Sequence, residues 1–294
     1  MAPVDAIAEA AAKRDFQRGT IALLAEGRGH PWITMADGRE IDIDFERDPQ
    51  LKTQLAPAGL RGLSLAAGDF DQDGVTDLVS GYATSIGGLV RIHRGNPAYF
   101  NSRLPIKLPG EEAPNPFLPS ARHLELSIEP HFQAVGDFDD DDDPDLMIAS
   151  KNHDFLLCYL GTGNGELEFD REIPVGGQVT ALIAADINRK DGLEAVVLGV
   201  EGPTGSFVRI YSSRRGALRA EPVDLRLEDP VEDITIGRLD PDHTVDLAVA
   251  SGNQILVVKG WDGRPSWLAS GTFPEEQVVM LSLIHISEPT RPSP

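Results

Sequence analysis

Aspartates alternate along the stretch from Gly68 to Leu78, which reads Gly-Asp-Phe-Asp-Gln-Asp-Gly-Val-Thr-Asp-Leu. Counted from Asp69, carboxylates stand at positions 1, 3, 5 and 9. A hard cation such as Ca²⁺ takes roughly six to eight oxygen ligands, which alternating aspartates on a curled loop supply. Without a cation, carboxylates this close repel one another. The spacing therefore predicts a calcium loop. Its ligands would be four side chains and one backbone carbonyl, those of Asp69, Asp71, Asp73 and Asp77 and that of Val75 at position 7.

Gly74, at position 6, permits the sharp turn that such a loop needs, because glycine adopts a positive φ without a Cβ clash. The loop is not an EF-hand, since that loop has a bidentate Glu at position 12 and helices on both sides. Position 12 here is Ser80, and the flanking segments are short and apolar, which favours strands. For a single copy, an ordinary Asp/Gly turn between two strands stays open as the alternative.

A second stretch, from Gly136 to Leu146, matches the first position by position, which makes the ordinary turn a poor explanation. Asp142 takes the place of the glycine at position 6, and Asp tolerates a left-handed backbone better than most residues. The candidate ligands are again four side chains and the carbonyl at position 7, those of Asp137, Asp139, Asp141 and Asp145 and that of Asp143.

Two weaker copies follow, beginning at Asp186 and Arg238. The third has Lys190 at position 5, and the fourth has Arg238 itself at position 1, so a fixed positive charge stands where a metal or its ligand would be. We therefore expect both to be metal-free, and the first loop to be the best site. Their weaker candidate ligands are Asp186, Asn188 and Glu194 in the third copy and Asp240, Asp242 and Asp246 in the fourth.

The elements that must position these loops are short strands. The later loops recur at intervals of about 50 residues, which is typical of propellers and solenoids. Each unit contains four strand-like pieces, and the piece after each loop is almost entirely apolar, as expected for a strand buried on both faces. The fourth pieces are the least regular, and we place them at residues 104–108, 167–175, 219–225 and 266–273.

The stretches GDFDQDGVTDL and GDFDDDDDPDL resemble the FG-GAP/VCBS repeats of integrin α-subunit propellers and of many bacterial extracellular proteins. The resemblance implies an all-β fold, a β-propeller of four-stranded antiparallel blades with Ca²⁺ in their loops. It implies four to five blades here against seven in a parent protein. It also implies an extracellular or cell-envelope location, although the N-terminus lacks the basic and apolar pattern of a secretory signal.

Three segments divide the chain. Residues 1–18 are predicted to form an N-terminal helix or extension, and residues 19–280 a partial propeller. Residues 281–294, with the string LSLIHISEPTR, resemble a translated sequencing adapter, and we expect them to be non-native. The formal net charge of −21 argues against nucleic acid and anionic membranes as partners, since both require a basic surface. No apolar stretch is long enough to insert into a membrane.

Three functions fit this sequence. The first is a calcium-stabilised module that binds a protein or glycan partner. The second is a propeller domain of a polysaccharide-acting lyase or hydrolase, since some similar proteins are such enzymes. The third is a structural fragment of a larger protein. Neither an HExxH nor a GxSxG motif is present, so the sequence assigns no catalytic residue and the module is favoured.

Overall fold

The computed structural model describes the part of the chain that carries the repeats. The described ranges are 60–101, 115–119, 121–187, 194–213, 215–219, 221–239, 245–258 and 278–281. The predicted N-terminal helix and the candidate ligands Asn188, Asp240 and Asp242 lie outside these ranges.

The described strands form four antiparallel sheets of four strands each, arranged as the blades of a β-propeller. The predicted fold class is therefore confirmed. The first blade contains β1 (Arg61–Gly68), β2 (Asp77–Ala83), β3 (Gly88–His93) and β4 (Arg122–Leu126). The second contains β5 (Phe132–Gly136), β6 (Asp145–Ala149), β7 (Phe155–Gly161) and β8 (Leu167–Pro174). The third contains β9 (Gln178–Ala185), β10 (Ala195–Gly202), β11 (Gly205–Tyr211) and β12 (Val223–Leu227). The fourth contains β13 (Val231–Gly237), β14 (Asp246–Ser251), β15 (Gln254–Val258) and β16 (Val278–Leu281).

The hydrophobic core lies between successive blades. Strand β6 is continuously apolar because it is buried on both faces. Its side chains alternate between two separate hydrophobic clusters. Leu146 and Ile148 pack with residues of the first blade, whereas Met147 and Ala149 pack with residues of the third. All four are fully buried. Cys158, in the strand beside β6, is also fully buried, and it is the one cysteine of the sequence.

The fourth strands are where sequence and structure differ. In the first blade the fourth strand is Arg122–Leu126 rather than 104–108, and in the third it is Val223–Leu227 rather than 219–225. The first two loops begin 68 residues apart, at Asp69 and Asp137, and the residues beyond the period of about 50 enter between β3 and β4, where a helical turn α1 (Pro97–Asn101) follows β3. In the fourth blade β15 pairs with Val278–Leu281, so the predicted non-native tail begins on a paired residue.

The fourth strands are difficult to place from the sequence because they are outer strands that bury little surface. The alternation of apolar and polar residues along them is therefore weak. Strand β8 is largely exposed along its length, in contrast with β6. No helix among the described residues has the length and apolarity required to cross a bilayer.

Candidate metal centre

Each strong loop begins with Gly-Asp-Phe, and the fold explains the glycine and the phenylalanine. Phe70 and Phe138 are fully buried in the clusters between blades, which anchors the start of each loop. A Cβ on Gly68 would lie 2.5 Å from Val135 Cγ1, and a Cβ on Gly136 would lie 2.7 Å from Glu194 Cβ. Glycine is therefore required because the next blade approaches the backbone there.

The aspartate at position 9 closes each loop. Asp77 accepts hydrogen bonds from Phe70 N at 3.1 Å and Gly95 N at 2.8 Å. Asp145 accepts the equivalent pair, from Phe138 N at 2.8 Å and from Gly161 N at 2.8 Å. Each buried carboxylate thus ties the start of its loop to the end of the third strand of its blade.

The aspartate at position 1 organises the turn itself. Asp69 accepts hydrogen bonds from Asp73 N at 3.1 Å and Gly74 N at 2.9 Å. Asp137 accepts from Asp140 N at 2.8 Å and Asp142 N at 3.0 Å. The backbone of each loop therefore curls around its own first carboxylate.

Both loops place a left-handed backbone at positions 4 and 6. Gly74 has φ +83° and Asp142 has φ +68°, which confirms the sequence-based interpretation of position 6. Position 4 is also left-handed, with φ +54° at Gln72 and φ +69° at Asp140. The two loops thus share a left-handed backbone at the same two positions, although one has Gly at position 6 and the other Asp.

The curled backbone brings three aspartates of each loop together. One oxygen from each of Asp69, Asp71 and Asp77 lies within 4.8 Å of the others, and the same holds for Asp137, Asp139 and Asp145. Among the described residues, Oδ1 of Asp71 and Oδ1 of Asp139 are buried and have no hydrogen-bond partner. A bare carboxylate oxygen beside two further carboxylates is a suitable ligand for a hard cation, so these residues fit Ca²⁺.

The electrostatics of the second triad favour the uptake of a positive charge. Burial raises the pKa of Asp145 to about 7, and the charges of Asp139 and Asp141 add to this effect. The pKa of Asp139 is raised by burial and then by the neighbouring Asp141. The pKa of Asp77 in the first triad is also raised, chiefly by burial. Each shift reports a carboxylate whose negative charge is poorly compensated by its surroundings.

The structure places the other predicted ligands of the strong loops at the edge of the triads. Asp73 and Asp141, at position 5, accept hydrogen bonds from the backbone N–H two residues later, both at 2.9 Å. Among the described residues, neither belongs to a set of three within 4.8 Å. At position 7, Val75 is buried, and the side chain of Asp143 accepts a hydrogen bond from Gln72 Nε2 at 2.6 Å.

The described parts of the weaker loops depart from this arrangement. In the third blade Ala185 pairs with Ala195, so Glu194 stands one residue before the place that Asp77 and Asp145 occupy. Its Oε2 instead accepts a hydrogen bond from Asp137 N, in the second blade, at 2.9 Å. Asp186 lies just after β9, at the start of the third loop.

In the fourth blade Asp246 is fully buried and accepts a hydrogen bond from Leu239 N at 2.8 Å. It therefore keeps the structural role of position 9 in its loop.

Two arginines that the sequence analysis did not single out as loop contacts bind the acidic loops. Arg94, which follows β3, forms an ion pair with Asp71 through Nε and Nη2. Arg219 donates from Nη2 to the backbone carbonyl of Asp139 at 2.7 Å. Arg219 comes from the following blade, and Arg94 follows the third strand of the same blade, 23 residues from Asp71, so neither contact follows from local spacing.

A row of Ser, His and Glu lies outside the acidic loops. Ser150 Oγ is 3.3 Å from His131 Nδ1, and His131 Nε2 is 3.5 Å from Glu129 Oε2. These residue types can form a nucleophilic triad. Ser150 is fully buried, however, so its hydroxyl is not accessible to a substrate. The row therefore holds together the turns before β5 and after β6.

Comparisons with known proteins assign no family. No protein-family model matches the chain, and no curated protein matches it. Two solved structures that are similar to it are crystals of BBS1N in complex with ARL6DN. The one soaked with lead is 12% identical with a TM-score of 0.44 and covers 75% of this chain and 53% of that chain. The one soaked with mercury is 16% identical with a TM-score of 0.33 and covers 65% of this chain and 61% of that chain. This chain thus spans less than two thirds of either relative, and at these scores we infer nothing about it from them.

Proposed function

We propose that this protein is a calcium-binding β-propeller in which the ions stabilise the loops between the first two strands of its first two blades. The observation that supports this most directly is the pair of aspartate triads, each with one buried carboxylate oxygen that lacks a partner among the described residues. A cation between the three carboxylates would stabilise their charged form, which burial and the neighbouring carboxylates disfavour at Asp77, Asp139 and Asp145 by raising the pKa of each.

Calcium is the ion that these donors favour. Carboxylates and carbonyls are oxygen ligands, and the loops lack the thiolate and imidazole ligands that zinc prefers. Magnesium demands near-ideal octahedral geometry and retains several of its own waters, whereas Ca²⁺ accepts irregular sets of protein oxygens. Asp69, Asp71 and Asp77 would hold one ion, and Asp137, Asp139 and Asp145 the other.

The role of the ions would be structural. Positions 1 and 9 already hold the loop backbone through hydrogen bonds to N–H groups, and an ion would bind to the same carboxylates. It would add no reactive group at a substrate pocket. Its effect would be to fix the loop and thereby the register of β1 with β2 and of β5 with β6.

Calcium titration tests this proposal. We expect the 294-residue chain, stripped of divalent ions, to bind about two Ca²⁺ per molecule with a Kd of roughly 10⁻⁴–10⁻³ M, as extracellular modules do. The Asp71→Asn and Asp139→Asn double variant should lose this binding, and Asp154→Asn, an exposed acid outside the loops, should retain it. Absence of binding, or equal binding by the double variant, would refute the proposal.

We further propose that the propeller is an interaction module for a protein or glycan outside the cytoplasm. Millimolar calcium outside cells would fill sites of this strength, whereas cytosolic calcium would leave them empty. The net charge of −21 disfavours nucleic acids and anionic lipids as partners.

A candidate contact point is the turn between β2 and β3, at the opposite end of the blade from the acidic loop. Ile86 is 78% exposed there, so its side chain is available for an apolar contact with a partner. We would screen the protein and its Ile86→Ser variant against glycan arrays and envelope-protein extracts in calcium buffer. A ligand that the variant loses supports the proposal, and identical binding profiles would exclude this turn.

A further inference from the structure

Arg94 occupies the position from which a counter-charge can compete with a metal ion in the first loop. Its Nε and Nη2 both contact Oδ2 of Asp71, the aspartate at position 3. The side chain of Asp71 is only 5% exposed, whereas that of Arg94 is 31% exposed. The guanidinium thus enters from solvent and neutralises a carboxylate that is almost completely buried.

The second loop has no equivalent guanidinium on its carboxylates in the described part of the chain. Gly95 and Gly161 are equivalent, because each donates its N–H to the aspartate at position 9 of its blade. Arg94 precedes Gly95, whereas Leu160 precedes Gly161. Arg219, at an exposed position, donates its hydrogen bond to the carbonyl oxygen of Asp139, and its charge lowers the pKa of Asp139 by less than burial and the neighbouring aspartates raise it.

The second loop also carries more negative charge. Asp140 and Asp142 stand where the first loop has Gln72 and Gly74. Glu194 of the third blade adds a further carboxylate to the second loop. Its Oε2 accepts a hydrogen bond from Asp137 N at 2.9 Å. A cation approaching the second loop therefore meets several carboxylates, and in the described part of the chain the nearby guanidinium of Arg219 bonds the backbone of Asp139 rather than its carboxylate.

We propose that Arg94 is a built-in counter-ion that weakens the first site, so that the loop at Asp137 takes calcium at a lower concentration than the loop at Asp69. This inference rests on the proposed calcium binding and reverses the order expected from the sequence, in which the first loop is the best site. Calcium in the first loop must displace the guanidinium from Asp71 or bind beside it, and both cost free energy because like charges repel and a charge-assisted hydrogen bond is lost.

The two loops would then differ in the calcium concentration at which they are filled. The second would be filled first and remain filled, whereas Asp71 would exchange between Arg94 and the ion as calcium rises. The first blade would thus be held by an internal ion pair at low calcium and by the metal at high calcium.

Titrations of the first site in isolation test this inference. The Asp139→Asn substitution disables the second loop in the full-length chain, so the remaining calcium affinity belongs to the first. In that background we expect Arg94→Gln to tighten calcium binding by about tenfold, the scale of one charge-assisted hydrogen bond. Arg94→Lys, which keeps the charge, should gain much less.

Arg122 provides a matched control, because it pairs with Glu166 at 3.2 Å near the same loop and does not contact a triad carboxylate. Arg122→Gln removes the same charge and should change the affinity by less than about twofold. Equal gains in Arg94→Gln and Arg122→Gln, or no gain in either, would overturn the role of Arg94. Circular dichroism melts of each variant exclude misfolding as the cause.

The reciprocal substitution gives an independent test. Leu160→Arg places a guanidinium before Gly161, at a half-buried position. In an Asp71→Asn background, which disables the first loop, this change should weaken calcium binding at the second. If wild-type protein binds no calcium, the proposed function fails together with this inference. If calcium binds and the first loop is the tighter site, only the inference fails.

Discussion

The side chain of Gln72 donates a hydrogen bond to Oδ1 of Asp143 at 2.6 Å and a second one to the carbonyl of Asp142 at 2.9 Å. It therefore joins the acidic loop of the first blade to that of the second. Gln72 is exposed and has a left-handed backbone, with φ +54°. The two candidate metal loops are thus in direct contact through one amide.

Removal of this amide should loosen the pair of blades. We expect Gln72→Ala to lower the free energy of unfolding by about 1 kcal/mol, because two exposed hydrogen bonds are lost while the rest of the loop is kept. Denaturant unfolding measures this change. Gln178→Ala, at an exposed position at the start of β9, is the control and should be neutral.

Chelation should destabilise the protein by a larger amount. A ligand that binds only the folded state stabilises it by about 2.7 kcal/mol when its concentration is 100 times Kd. We therefore expect excess chelator to lower the Tm by several degrees, as measured by calorimetry with and without calcium. Asp71→Ala and Asp139→Ala should each remove part of this response. A melting curve that chelator leaves unchanged would contradict a structural role for calcium.

Position 6 should show a purely conformational effect. Gly74 has φ +83°, yet a Cβ added there would meet no heavy atom within 4 Å. Gly74→Ala should therefore cost about 1 kcal/mol through the left-handed backbone alone. In the absence of calcium, Asp142→Gly, at φ +68°, should stabilise the protein, because it relieves a similar strain and also removes one negative charge from the acidic loop.

The matched control for position 6 is Gly62→Ala, since a Cβ at Gly62 also meets open space but its φ is not in the left-handed range. Chemical denaturation of the three variants in chelator gives the comparison. Equal effects at Gly62 and Gly74 would show that backbone conformation is not the cause.

His93 should make the protein sensitive to acid. Burial, with a smaller effect of the neighbouring Arg91, lowers its pKa to about 4 from an ordinary value of 6.5. Between these two values the unfolded chain binds more protons than the folded one. The free energy of unfolding therefore falls as the pH falls through this window, by up to about 3 kcal/mol at pH 4.

A comparison of variants isolates this contribution. The His93→Gln protein should lose the part of the pH slope that arises between pH 6.5 and 4, even if Ser80, whose Oγ lies 3.0 Å from His93 Nε2, adapts to the new side chain. Urea unfolding at pH 7, 6, 5 and 4 provides the measurement. Parallel pH profiles for the two proteins would show that His93 does not titrate in this way.

The sequence was informative wherever local geometry decides the structure. The alternating aspartates identified both loops, and the need for a left-handed residue at position 6 was visible in Gly74 and Asp142. Strand β6 was recognisable because burial on both faces removes polar residues from it. These features arise from residues that lie close together in the chain, so their pattern is preserved in the sequence.

Contacts between distant parts of the chain left no such pattern. Arg94 is 23 residues from Asp71, and Glu194 is 57 residues from Asp137, so neither contact has a fixed spacing to recognise. The fourth strand of the first blade was misplaced because an insertion after β3 displaces it to Arg122–Leu126. Outer strands with little buried surface carry too weak a periodicity to correct such an error.

Each acidic loop is covered by the blade that follows it in the chain. Gly165, between β7 and β8, donates its N–H to the carbonyl of Phe70 at 2.8 Å. Gly216, between β11 and β12, approaches so closely that a Cβ there would lie 2.2 Å from the carbonyl oxygen of Phe138. During synthesis on a ribosome, the loop at Asp69 therefore stays open until Gly165 has emerged, and the loop at Asp137 until Gly216 has emerged. The order of translation thus sets the order in which the two loops are completed, with the first blade waiting for the second and the second for the third.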